Sequence, residues 1–121
     1  MLGIGIDAVE IDRFRAVLAR RPRLAGRLFT DGERAYGARY ADPAPRLAAR
    51  FAAKEAVLKA LGVGLGACPF RDIEVISSPS GAPLLVLTGT AADLARGQGV
   101  AAWRLSLTHT ASVAEAVAVA L

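Results

Sequence analysis

The stretch RFAAKEAVLKALG, residues 50–62, reads as a helix, and what it turns inward decides how the rest of the chain is understood. At about 100° per residue, Leu47, Phe51, Leu58 and Leu61 fall on one apolar stripe. Lys54 lies inside that stripe, Glu55 on its edge, and Lys59 beside Glu55 one turn on. Lysine often buries its stem and wets its head, and Glu–Lys at i, i+4 is a routine surface pair. Yet Arg50, Lys54, Glu55 and Lys59 together put three cations and one acid around an otherwise apolar face. A cleft for a phosphate–metal complex needs that mixture: cations for phosphate oxygens, a carboxylate for the bridging metal. On this helix alone both readings stand.

Working outward, the apolar segment LGIGI (2–6) meets Asp7 and suits a buried strand. Ile11, Phe14 and Leu18 recur at helical spacing, and Pro22 ends that helix. TDGE (30–33) has the capping-box pattern and starts a second helix running toward Tyr40. DPAP (42–45) is a break, followed by the long helix to Gly62, which is expected as its C-cap. DIEVI (72–76) and PLLVLT (83–88) read as strands joined by the turn SSPSGA. GTAADLARG (89–97) reads as a short helix; WRLSLTH (103–109) and VAEAVAVAL (113–121) close the chain as two more strands. The expected class is α+β, one domain spanning 1–121, with about five mostly antiparallel strands and helices packed on them.

Composition narrows the partners. The 121 residues carry a net charge of +4 and a pI near 10, so an anionic partner is expected: a phosphorylated small molecule, nucleic acid or an acidic protein. Hydrophobic residues make up 54% of the chain, high for its size, and AVAVAL (116–121) alternates small and branched residues so that neither face looks solvated. Either the core is unusually dense or another subunit covers part of the apolar surface, and the C-terminal run favours the second, a homo-oligomer. The one cysteine, Cys68, forms no internal disulfide and no metal-binding cluster, which fits a cytoplasmic setting. The N-terminus reaches Asp7 without a basic leader, and no apolar run approaches the roughly 20 residues of a membrane span.

Three further candidates have two readings each. Asp7 is either an N-cap for the following segment, with Glu10 as capping-box partner, or a ligand for a hard cation such as Mg²⁺. His109, the only histidine, sits in SLTHT and either makes a structural hydrogen bond or lines a phosphate pocket with Thr108 and Thr110. Arg13 and Arg20 lie opposite the apolar stripe of the first helix, and Arg21, Arg23 and Arg27 extend the basic surface; it is either simply solvated or a dock for an acidic partner. GVGLG (62–66) is not a nucleotide loop, because it follows a helix instead of joining a strand to one.

In chain order, GIGIDAVEI, RFAAKEAVLKALGVG, DIEV followed by GAP, and SLTHT resemble the holo-acyl-carrier-protein synthases, the short bacterial-type phosphopantetheinyl transferases. The resemblance spans nearly the whole chain. It implies transfer of 4′-phosphopantetheine from coenzyme A to a serine of apo-acyl carrier protein, releasing adenosine 3′,5′-bisphosphate. It further implies that Asp7 and Glu55 bind Mg²⁺, with Mn²⁺ as an alternative, and that Glu55, directly or through a bound water, takes the serine proton. Lys59 is implied to serve the leaving phosphate. Arg50, Lys54, Gly81, Pro83, Thr108 and His109 match positions lining the coenzyme A site, His109 toward the 3′-phosphate. Arg13, Arg20 and Arg23 match carrier-docking positions. Relatives of this length resemble homotrimers, with Asp7 and Glu55 from one subunit facing the hairpin and SLTH elements of the next. Ala82 stands where the family usually has lysine, Ala49 where it often has glycine, and Val9 where longer relatives have a third acid. The rival expectations are a basic nucleic-acid-binding module, against which few aromatics speak, and a coenzyme A-binding subunit without catalysis.

Overall fold

A computed structural model describes residues 1–121. Its elements are β1 (Gly3–Glu10), α1 (Ile11–Arg20), α2 (Leu24–Leu28), α3 (Asp31–Gly37), α4 (Ala44–Ala60), β2 (Ile73–Ser77), β3 (Pro83–Leu87), α5 (Gly89–Gly97), β4 (Trp103–His109) and β5 (Val113–Ala120). A 3₁₀ turn, Phe70–Asp72, precedes β2. The five strands pair antiparallel throughout, but in two sheets: β1-β5-β4, and the β2–β3 hairpin.

The long helix α4 is the spine of the molecule. The expectation of a single apolar stripe proves too narrow. From Leu47 to Leu58 nearly every side chain is buried, alanines on one side and Leu47, Val57 and Leu58 on others. A helix apolar all round belongs inside a fold, and α4 runs through both hydrophobic clusters. One gathers Ala52, Ala56, Val57 and Leu61 with Ile73, Val75, Ala91 and Ala118. The other gathers Leu47 and Ala48 with Ile11, Phe14, Leu28 and Phe29.

Small residues bring the sheet against this helix. Gly3 and Gly5 of β1 face α4 so closely that a Cβ on either would lie 2.0 and 1.9 Å from the carbonyl oxygens of Ala60 and Ala56. Ala114, Ala116, Ala118 and Ala120 of β5 are buried beside them. The period of two then turns Ile4 and Ile6 outward, where they are 58% and 61% exposed. Opposite them in register stand Val119 and Val117, so the outer face of the sheet carries an apolar patch. No helix is long and apolar enough to cross a membrane.

Two local expectations change. β1 does not stop at Asp7 but continues to Glu10, because the chain pairs with β5 along its full length. Asp7 is therefore a mid-strand residue and caps nothing; α1 begins after Glu10 without a side-chain cap. The short helix α2 has no counterpart in the sequence reading. It is too brief to show a period, and Leu28 inserts into the α1–α4 cluster as its anchor.

Candidate active site

β1 turns Asp7 to the same side as Gly3 and Gly5, toward α4, and α4 supplies Glu55 and Lys59. The Lys59 ammonium donates to Asp7 Oδ1 at 2.9 Å and to the carbonyl of Ile6 at 3.0 Å. The bond to Asp7 raises the lysine above its ordinary range. Glu55 is half-buried; burial pushes its carboxyl up from 4.5, the charge of Asp7 adds to this, and Lys59 opposes it. A half-buried carboxyl beside a second one is suited both to accepting a proton and to holding a hard cation. No third Asp, Glu, His or Cys joins them in a metal-binding group.

A separate cavity of about 200 Å³ opens on another side of α4. Arg46 and Arg50 of α4 and Tyr36 of α3 form one wall, Ser77, Gly81 and Pro83 of the hairpin another, and Thr108 and His109 of β4 the third. Arg50 is buried, lies 3.9 Å over the Tyr36 ring, and donates from Nη2 to Ser77 Oγ at 3.2 Å; its Nε has no partner. Gly81 takes a φ of +87° in the hairpin turn, which glycine alone adopts without strain. The cavity thus collects Arg50, Gly81, Pro83, Thr108 and His109. Asp7, Glu55 and Lys59 do not line it. Arg50 and Glu55, five residues apart, are separated by about 140° around the helix.

Lys54 departs from its expected place. It lies along α4 one turn beyond Arg50 but is completely buried and does not reach the cavity. Its ammonium donates to Glu33 Oε1 at 2.7 Å and to the carbonyls of Phe70 and Ile73. Glu33 is as buried, and its carboxylate also accepts from the backbone N–H groups of Thr30 and Val75. Burial pulls the lysine below its ordinary range while Glu33 pulls it back. The capping box foreseen at Thr30–Glu33 is present, but its glutamate doubles as the counter-ion of Lys54. The lysine on the apolar stripe is therefore a tie between α4, α3 and β2.

Arg13, Arg20, Arg21, Arg23 and Arg27 are all exposed and none pairs with an acid, whereas Arg15 is held by Asp12 and Asp42. Beside them lies an apolar groove of about 380 Å³, lined by Arg13 with Val9, Phe14, Val17, Leu24, Leu28 and Phe51. Arg13 thus joins the basic surface to an apolar one, the usual makeup of a protein-docking face.

Sequence reasoning missed Arg46, Tyr36 and Ser77. Arg46 stands one turn before Arg50 on α4, so helical spacing held the signal. Tyr36 and Ser77 come from other elements and left none.

The sequence and the fold have known relatives. The family description "4′-phosphopantetheinyl transferase superfamily" matches residues 3–120. The holo-[acyl-carrier-protein] synthase of Moorella thermoacetica is 48% identical over 98% of this chain and 92% of its own. Among solved structures, the holo-[acyl-carrier-protein] synthase of Neisseria meningitidis superposes with a TM-score of 0.91 at 32% identity, covering 100% of this chain and 98% of its own. That of Helicobacter pylori, in complex with coenzyme A, gives 0.86 at 33% identity, covering 98% and 99%. Matched along its whole length by sequence and by fold, the chain belongs to the holo-[acyl-carrier-protein] synthases of the 4′-phosphopantetheinyl transferase superfamily.

Proposed function

We propose that this protein, acting as one domain over residues 1–121, transfers 4′-phosphopantetheine from coenzyme A to a serine of an apo-acyl carrier protein and releases adenosine 3′,5′-bisphosphate. The observation that carries the reading is the Asp7–Lys59–Glu55 group on the β1–α4 seam of a chain whose relatives hold that name. The serine Oγ forms a bond to the β-phosphorus as the bond from that phosphorus to the nucleotide's phosphate oxygen breaks. Glu55 accepts the serine proton. Lys59, held at the mouth of the site by Asp7, meets the charge that develops on the leaving phosphate.

Asp7 and Glu55 fit Mg²⁺ or Mn²⁺. Mg²⁺ commonly takes one or two carboxylates and completes its shell with water and phosphate oxygens, and the Asp7 charge that pushes Glu55 up is the repulsion a cation relieves. When bound, the ion screens the pyrophosphate and polarises the phosphate under attack. Arg50, Gly81, Pro83, Thr108 and His109 form the nucleotide end of the coenzyme A site, with His109 toward the 3′-phosphate. Because the two groups lie on different sides of α4, we assign the complete site to a homotrimer, Asp7 and Glu55 of one subunit facing the cavity of the next. The outward Ile4, Ile6, Val117 and Val119 provide the apolar surface for that assembly. The reducing cytoplasm is the compartment in which this chemistry belongs.

The test is intact mass spectrometry of an apo-acyl carrier protein incubated with this protein, coenzyme A and Mg²⁺. A gain of one 4′-phosphopantetheinyl group, lost with chelator, is expected. No gain with several carriers, with coenzyme A still bound, would leave a coenzyme A-binding protein without transferase activity.

Arg13, Arg20 and Arg23 are assigned to docking the acidic carrier. Replacing all three with glutamine is expected to raise the carrier KM about tenfold or more at low salt, less at high salt, with coenzyme A affinity unchanged. Steady-state titration of the carrier at two ionic strengths checks this; an unchanged carrier KM returns the arginines to solvent.

A further inference from the structure

Part of the basic surface sits on a helix that cannot hold itself. α1 is ten residues long and buries Ile11 and Phe14 in the α1–α4 cluster. α2 has only five residues; Arg23 stands at its start with no side-chain cap, and its Leu24 and Leu28 line the apolar groove. A helix that short is not stable by its own hydrogen bonds, and the carbonyls of its last turn need partners from outside it. Leu28 is buried in the cluster, with Leu24 and Ala25 half-buried beside it. Hydrophobic contact is non-directional, however, and does not by itself fix how the helix is turned.

Arg71 supplies the directional contacts. Its Nη1 donates to the carbonyl of Gly26 at 2.8 Å and to that of Phe29 at 3.2 Å, and its Nη2 lies 3.5 Å from Asp31 Oδ1 at the start of α3. One guanidinium thus closes the end of α2, as basic side chains do at helix C-termini. The backbone that carries Arg71 is held in turn. It belongs to the 3₁₀ turn before β2, and the Lys54 ammonium donates to the carbonyls of Phe70 and Ile73 on either side of it. The Phe70 ring packs on Phe51 of α4, with centroids 5.4 Å apart. The turn therefore follows α4, the helix of Glu55 and Lys59, and Arg71 carries that placement on to α2. Arg13, Arg20 and Arg23 pair with no acid, whereas the guanidinium of Arg71 is turned to two carbonyls and to Asp31.

We infer that Arg71 is a positioning residue for the carrier-docking face: it fastens the end of α2 to a turn held by α4, and so sets Arg23 and Leu24 for the carrier without touching carrier or coenzyme A. This rests on the carrier-docking assignment made above and adds to it the side chain that holds the face in place. The Arg71 side chain is 44% exposed, so its replacement leaves the core intact.

The experiment compares the full-length wild type with Arg71→Gln, using an apo-acyl carrier protein as probe. The variant should raise both the Kd and the KM for the carrier about three- to tenfold. Its kcat at saturating carrier and its KM for coenzyme A should not change. Hydrogen exchange on the free protein should show the amides of α2 and Phe29 opening faster in the variant, with those of α1 unchanged. In an Arg23→Gln background the same change should cost less carrier affinity than it does in the wild type, because part of what it misplaces is already gone. An equal, additive loss in both backgrounds would mean that Arg71 meets the carrier itself, and overturns the positioning role, as does unchanged exchange in α2. If the wild type neither binds nor modifies a carrier, the docking assignment fails and the positioning role with it. If it does both and the variant has the same carrier KM, the positioning role alone is overturned.

Discussion

Glu55→Gln is expected to lower the rate of phosphopantetheine transfer by roughly 10²–10⁴-fold, the contribution of a positioned general base. Glutamine keeps the shape of the side chain but can neither take the serine proton nor offer a charged oxygen to a cation. With no cation bound, burial and the charge of Asp7 push the Glu55 carboxyl up from 4.5. The same shift fixes the sign of a stability effect. A carboxyl that holds its proton more tightly folded than unfolded costs the native state stability as pH rises from 4.5 through its raised value. In buffer containing chelator, the Gln variant should therefore gain in melting temperature relative to wild type across that window. A Gln variant that keeps most of its transfer rate would remove Glu55 from the reaction. Mixing it with an equally inactive His109→Ala variant tests the shared site: mixed trimers should recover activity, since one interface in such an assembly carries both intact residues.

Lys54→Met is expected to destabilise the protein by about 3–5 kcal/mol, the usual consequence of removing one partner from a buried ion pair. The Glu33 carboxylate would keep the N–H groups of Thr30 and Val75 but lose its ion-pair partner, and the carbonyls of Phe70 and Ile73 would lose a donor. Changing Glu33 as well, to Leu, should recover part of that loss, because no uncompensated charge then remains. Urea denaturation of the two single variants and the double variant gives the coupling. A cost below about 1 kcal/mol for Lys54→Met would mean that the pair is not the buried tie described here. Loss of coenzyme A affinity without loss of stability would restore Lys54 to the cavity.

Much of this molecule was legible before its tertiary structure. Helical spacing, short apolar runs and turn residues located α1, α4 and α5 and all five strands, and the Thr30–Glu33 capping box marked the start of α3, since these signals are local and need no distant partner. The order of GIGID, RFAAKEA, GAP and SLTHT along the chain carried the family, because residues set by one chemistry recur in one order whatever surrounds them. What the tertiary structure decided is which of several compatible neighbours each charged residue meets. Lys54 and Arg50 stand one turn apart on one helix, with similar charge and reach. One ends against Glu33 from a segment 21 residues away and the other against Tyr36 and Ser77. Local spacing states the direction in which a side chain leaves the backbone, but its counter-ion, its burial and so its role depend on what the rest of the chain packs there. The same distinction holds for Gly3 and Gly5: their alternation with isoleucine shows in the sequence, while the reason for it, two helix carbonyls within 2.0 Å of any added Cβ, exists only once α4 lies against β1.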